Sequence, residues 1–267
     1  MLTTAEIASC ADRIVTLVPS VTETLFALGV GYEVVGVSSY DDYPPEVRKL
    51  PKVGSFLTPN LEAIAALRPT IVIGRGISSN QRELRVMRAM GYEVLTIEDD
   101  SLAQIEQSIR VIGARVGRSQ RASAVIASIE ASVNDVRTHV NPFPERRTLM
   151  LVGHQPIVAV GPGTFLDDLF KIARAENIAD AAAQQWPQLS MEFIVAMRPE
   201  VIIDGQMGSD AETPSQFWRA YPTIPAVRNH RVVGYPEDPT LHPGPRVGTT
   251  LEMIAKLVHP EAWTTSR

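Results

Sequence analysis

The chain has 267 residues, enough for one large domain or two of ordinary size. Its 45% hydrophobic and 21% charged content is that of a globular protein, and a net charge of -5 leaves no basic footprint for nucleic acid. A single cysteine, Cys10, excludes an internal disulfide and any cysteine-based metal cluster, and no apolar run approaches the roughly 20 residues that a bilayer demands.

Residues 1–12 read as an N-terminal extension. Small residues precede Cys10, as they would a lipid-anchored cysteine, but Met1 to Glu6 is neither basic nor apolar enough for a signal segment. Arg13 to Val18 predicts a first buried strand, and Pro19-Ser20-Val21-Thr22-Glu23 turns into a helix through Leu28. Ser20 or Thr22 either caps that helix or lines a ligand loop at the carboxyl end of the strand, where open α/β sheets bind. Val34 to Ser38 predicts a second strand, followed by an aromatic loop, Ser39 to Pro45, that its prolines keep out of any ladder.

The next segment is written twice. Leu61 to Gly74, LEAIAALRPTIVIG, returns as LSMEFIVAMRPEVIIDG at Leu189 to Gly205, with Glu62, Ile64, Arg68 and Pro69 meeting Glu192, Ile194, Arg198 and Pro199 at an offset of 130. Each copy predicts a short amphipathic helix that ends at Arg-Pro, then an unbroken apolar strand covered on both faces, as in a parallel sheet flanked by helices. Asn60 is a fitting N-cap for the first copy and puts Glu62 in the first turn. Between the copies, a helix is expected over Gln81 to Met90, a strand over Tyr92 to Ile97 and helix from Ser101. From Ser119 to about Val140 apolar residues recur with a 3.6 period, a helix about 30 Å long.

Thr148 to Gly153 opens the second half with another buried strand, and His154-Gln155-Pro156-Ile157 takes the place of Pro19-Ser20-Val21. Gly161-Pro162-Gly163 lacks the third glycine of a dinucleotide loop and reads equally as a turn into a helix over Thr164 to Ala173. Trp186 precedes the second copy as Phe56 precedes the first. Pro214 to Tyr221 reads as helix, Val232 to Gly234 as strand, Tyr235 to Pro245 as a proline-rich loop and Arg246 to Val258 as the closing helix. The expected fold is α/β: two Rossmann-like lobes with parallel central sheets flanked by helices, at 13–117 and 143–267, joined by one long rigid helix within 118–142, with a ligand cleft between them.

No G-x-S-x-G elbow, P-loop or H-E-x-x-H is present, and the histidines at 139, 154, 230, 242 and 259 are scattered. A metal site would need the fold to gather His154 and His242, and dispersed histidines are more often ordinary surface or core residues. The chain therefore reads as a binder and not an enzyme, with no cofactor of its own. Its loops offer flat apolar surface with polar edges: Tyr40, Phe56 and Trp186, with Tyr43, Tyr235 and residues 238–242 nearby. Such walls suit a large rigid ligand.

RIVTLVPSVTETLFALG, VGVSSYDDYPPE, NLEAIAALRPTIVIG and WPQLSMEFIVAMRPEVII, in this order, resemble the substrate-binding proteins of ABC importers for vitamin B12, haem and iron chelates. The SSYDDYPP and WPQLSME strings are most similar to the B12 binders among them. The resemblance implies an extracytoplasmic, periplasmic monomer that takes a corrinoid between two lobes and delivers it to a membrane permease dimer with its ATPase subunits. It assigns ligand contacts to Tyr40, Phe56, Arg75, His154, Trp186 and the loop Asp238, Pro239, Thr240, Leu241 and His242. It also assigns permease docking to Glu62 and Glu192, one per lobe, although a first-turn glutamate equally suits the helix dipole. Phe56 stands where B12 binders carry tryptophan and haem binders an iron-ligating tyrosine, and Arg75 replaces another cleft tryptophan. With phenylalanine unable to ligate iron, Tyr40 or His154 would have to do so in a haem binder. Haem or a ferric siderophore remains the alternative cargo, and a cytoplasmic enzyme or sensor on the same fold the alternative class.

Overall fold

The computed structural model describes residues 12–205, 214–235 and 240–264. Cys10, the rest of the first eleven residues, Asp238 and Pro239 lie outside these ranges. The first sheet is built from β1 (Ile14–Thr16), β2 (Val34–Gly36), β3 (Ile71–Arg75) and β4 (Glu93–Ile97), in the order β2-β1-β3-β4 with every pairing parallel. Its middle strands are apolar on both faces because helices cover both: Ile14, Val15, Ile71, Val72 and Ile73 are all buried. Helices α1 (Pro19–Ala27), α2 (Leu61–Ala66) and α3 (Gln81–Ala89) fall between these strands.

The second sheet centres on β5 (Arg146–His154) and β8 (Val201–Asp204), with β9 (Val232–Gly234) parallel beyond β8 and β7 (Ala175–Asn177) parallel to the start of β5. The order β7-β5-β8-β9 thus repeats β2-β1-β3-β4. One strand departs from the expected all-parallel sheet: β6 (Ile157–Ala159) turns back through Gln155-Pro156 and pairs antiparallel with the end of β5, His154 opposite Ile157. The segment expected to mimic Pro19-Ser20-Val21 is therefore a hairpin. The helix that follows, α6 (Phe165–Ile172), starts only after Gly161-Pro162-Gly163, capped by Thr164, whose side chain accepts from the Asp167 N–H at 3.2 Å. A Cβ on Gly161 would come within 1.9 Å of the Gln184 carbonyl, so close backbone approach and not phosphate binding accounts for that glycine.

Between the sheets in sequence lie α4 (Leu102–Arg115) and α5 (Ser119–Val140). The 22 residues of α5 rise about 33 Å. Ala122, Ile126, Ile129, Val133, Val136 and Val140 form its buried stripe, the expected 3.6 period. Contacts group the chain into two compact units, Met1–Glu98 with Arg110–Ala122 and Asp99–Ile109 with Ser123–Arg267, so α4 and α5 contribute to both. The first half of α4, expected with the first lobe, belongs to the second unit, where the Leu102 N–H donates to Asp168 Oδ2 at 3.0 Å. The second unit is completed by α7 (Met191–Met197), α8 (Pro214–Trp218), α9 (Pro225–Arg228) and α10 (Val247–Val258). Among the described residues no helix is long and apolar enough to cross a membrane.

Candidate functional site

In the first unit the expected ligand residues sit at or beyond the carboxyl ends of β2 and β3. Tyr40 is 68% exposed, and its N–H donates to Ser38 Oγ at 3.2 Å. The next residue, Asp41, is turned inward and buried, with neither carboxyl oxygen hydrogen-bonded. Burial pushes its pKa up; Ser38 and Thr22, which face it, and the charge of Lys52 only partly offset this. Lys52 instead donates through Nζ to the Asp41 carbonyl and ties the loop down. Phe56 is half-buried, its ring packed against the core of Val15, Leu17, Val53 and Ile64. Arg75, at the end of β3, is also half-buried.

Asn80 brings the last two together. Its buried amide donates to the carbonyls of Phe56 and Arg75, both at 2.8 Å, while its Oδ1 accepts from the Ile77 N–H at 3.0 Å. The amide thus ties the Phe56 loop to the stretch that leaves β3, Arg75 to Ile77, and fixes where the two stand. In the sequence Asn80 is one polar residue among Ser78, Ser79 and Gln81, with nothing to single it out.

In the second unit His154 does not present a free imidazole. Its Nε2 lies 2.6 Å from Oδ1 of Asp204, which is 1% exposed, and its ring stacks on Phe217 with centroids 4.6 Å apart. The other oxygen, Asp204 Oδ2, accepts from Trp218 Nε1 at 2.8 Å, and Phe217 meets Trp218 edge-on at 5.1 Å. This buried network closes the ends of β5 and β8. The sequence held one signal for it: Asp204 ends an otherwise apolar strand, at the position that Gly74 holds in the first copy.

Trp186 is 45% exposed on a loop that runs along β6, where the Ala159 N–H donates to the Pro187 carbonyl and the Leu189 N–H to the Ile157 carbonyl, both at 3.0 Å. The ring is thus carried on a hydrogen-bonded ribbon. Of the expected 238–242 loop, Thr240 is fully buried, its hydroxyl 3.9 Å from Met253 Sδ, while Leu241 and His242 are half-buried. His154 and His242 are not gathered into a metal cluster: among the described residues no group of three or more His, Cys, Asp or Glu could hold an ion.

Glu62 and Glu192 occupy identical settings. Each is exposed in the first turn of its helix, behind a capping side chain: Asn60 Oδ1 accepts from the Ala63 N–H at 3.0 Å, and Ser190 Oγ from the Phe193 N–H at 3.2 Å. The Glu192 carboxyl is held below the usual range by its own backbone N–H and by Ser190.

Two sheets of the same order, each with its loops at the strand carboxyl ends, and a glutamate in the same place on both, are what comparison with known proteins must explain. The family model described as periplasmic binding protein matches residues 14–239. The chain belongs to that family. It is 30% identical over 262 residues to the uncharacterised ABC transporter substrate-binding lipoprotein YvrC of Bacillus subtilis, covering 94% of this chain and 81% of that one. Among solved structures, the apo periplasmic heme-binding protein RhuT of Roseiflexus sp. RS-1 superposes with a TM-score of 0.84 at 30% identity, covering 94% of this chain and 99% of its own. The periplasmic vitamin B12-binding protein BtuF of Vibrio cholerae gives 0.82 at 25% identity, covering 96% and 99%.

Proposed function

We propose that this protein is the extracytoplasmic substrate-binding component of an ABC importer, that its cargo is a corrinoid held between the two lobes, and that Glu62 and Glu192 dock it on the permease. The observation that carries the choice of cargo is the state of the candidate metal ligands. Phe56 has no atom that can ligate iron, and the Nε2 of His154, the usual ligating atom toward a flat macrocycle, is engaged by buried Asp204. What the loops offer instead are exposed aromatic faces, Tyr40 and Trp186. A corrinoid arrives with its cobalt already ligated and needs only flat contact and polar edges. The family and the likeness to a B12 binder support this reading, and the lipoprotein relative supports an extracytoplasmic location.

A second reading, haem as cargo with Tyr40 as its ligand, draws on the likeness to RhuT. Calorimetric titration of the purified protein with cyanocobalamin, with hemin in parallel, separates the two. One-to-one cobalamin binding is the expected result. Saturation by hemin alone, with a Soret shift, would move the assignment to haem, and silence with both would overturn the tetrapyrrole class.

A further inference from the structure

Helix α3 presents two unlike faces. Leu84 and Met87 are buried, whereas Arg82, Arg85 and Arg88 are exposed at three-residue spacing along the outward side. Val86, four residues from Arg82, is 37% exposed, and Met90, four further on, is 42% exposed. The one acid of the helix, Glu83, is turned inward: its Oε2 is buried and accepts no hydrogen bond. The outward face therefore carries three positive charges and two aliphatic side chains, on a chain whose net charge is -5.

Nothing among the described residues uses those guanidinium groups: Arg82, Arg85 and Arg88 make no ion pair or hydrogen bond there. Several other arginines of the same unit are engaged. Arg115 pairs with Asp12 and Glu93 at 2.8 and 2.7 Å, Arg13 donates to the Leu67 carbonyl at 2.7 Å, and Arg121 donates to the Ala27 carbonyl at 2.8 Å. An ordinary solvated helix face mixes charges of both signs. This one segregates them and sets apolar side chains among the cations, the composition of a surface that meets an anionic lipid leaflet.

We propose that the outward face of α3 is a docking surface for anionic lipid headgroups, with Arg82, Arg85 and Arg88 meeting the phosphates and Val86 and Met90 reaching the acyl boundary. The surface goes beyond the import reading and does not depend on the cargo. Three basic side chains at an anionic leaflet strengthen attachment on the order of a hundredfold. For a binding protein that must find a membrane permease, such attachment confines the search to two dimensions.

Co-sedimentation of the full chain with phosphatidylglycerol-containing and phosphatidylcholine vesicles tests it. The expected result is attachment to the anionic vesicles only, released by salt. An Arg82→Gln/Arg85→Gln/Arg88→Gln variant should lose on the order of a hundredfold in partitioning. Val86→Ser/Met90→Ser should lose less and keep the salt dependence. Both variants should retain the circular dichroism spectrum and cargo titration of the parent, since none of these side chains is in the core or the proposed site. Equal partitioning of the triple variant and the parent would overturn the proposal. So would equal attachment to both vesicle types, or no vesicle binding while the same arginines capture an acidic protein surface.

Discussion

The two copies of the helix–strand unit agree in everything that makes a frame and differ at the point where chemistry begins. Residues 61–69 and 191–199 have the same burial at every position, and Arg68 and Arg198 both end their helices in the left-handed region, at φ 45° and 51°. The strands then part. Gly74 sits against Leu17, where an added Cβ would be 3.0 Å from the Leu17 Cβ, whereas Asp204, at the equivalent place, accepts from Trp218 and meets His154. One lobe closes the end of its central strands by bare packing and leaves Tyr40 open; the other plugs the same end with a buried polar network. Duplication keeps what the sheet needs, and strand ends are free to diverge because loops there answer to a ligand and not to the core.

The largest expected effect tests the sameness. If the two glutamates are twin docking points, Glu62→Arg with Glu192→Arg abolishes uptake in cells while the calorimetric affinity for cargo stays at the parent value. A fall in affinity would show that these side chains build the ligand site. The next tests the difference. Asp204→Ala leaves Trp218 Nε1 and His154 Nε2 without their acceptor, at a cost of about 3–5 kcal/mol to the second unit. All three tryptophans, 186, 218 and 263, lie in that unit, so the urea midpoint by tryptophan fluorescence reads its stability directly. An unmoved midpoint would mean that the network is not what closes the strand ends. A smaller loss, about 1–3 kcal/mol in cargo binding, is expected for Trp186→Ala if its half-exposed ring stacks on the ligand. Unaltered cargo affinity would remove Trp186 from the site.

The frame was legible because it is periodic. Gly117 and Pro142 bounded α5 and its 3.6 stripe gave its buried face, and the unbroken apolar runs marked β3, β5 and β8. Elements too short for a period were not: Ala175-Glu176-Asn177 carries no strand signal, and it is a strand only because Arg146 to Thr148 offers it a parallel edge. The hairpin to β6 was hidden because Gln155-Pro156 reads as any strand-to-helix turn. Candidate ligand residues were legible as types and less so as environments. Tyr40 and Trp186 are exposed as expected, but Phe56 packs half into the core, Thr240 is buried and His154 is taken by Asp204, a partner 50 residues away that only folding could bring.

The smallest effect sets the lobes against each other through pH. Asp41 in the first unit is an acid whose pKa burial pushes up, so the folded state favours its neutral form. Its contribution is full below the ordinary aspartate value of 3.8 and is lost as pH rises through the raised value. His259 in the second unit is a fully buried base whose pKa burial pushes down, its Nε2 3.3 Å from the Arg174 carbonyl. The folded state favours neutral imidazole, so stability is lost as pH falls below the ordinary value of 6.5. Other groups tilt each unit too; Asp12, held down by Arg115, costs the first unit stability at low pH. The informative quantity is therefore the difference from a variant. Asp41→Asn should flatten the loss on raising pH, read by hydrogen exchange of first-unit peptides corrected for intrinsic rates. His259→Asn should flatten the loss on lowering pH, read by tryptophan fluorescence. Slopes that match the parent in both variants would mean that neither buried group changes its proton on unfolding, and the opposition between the lobes would have to come from their surfaces.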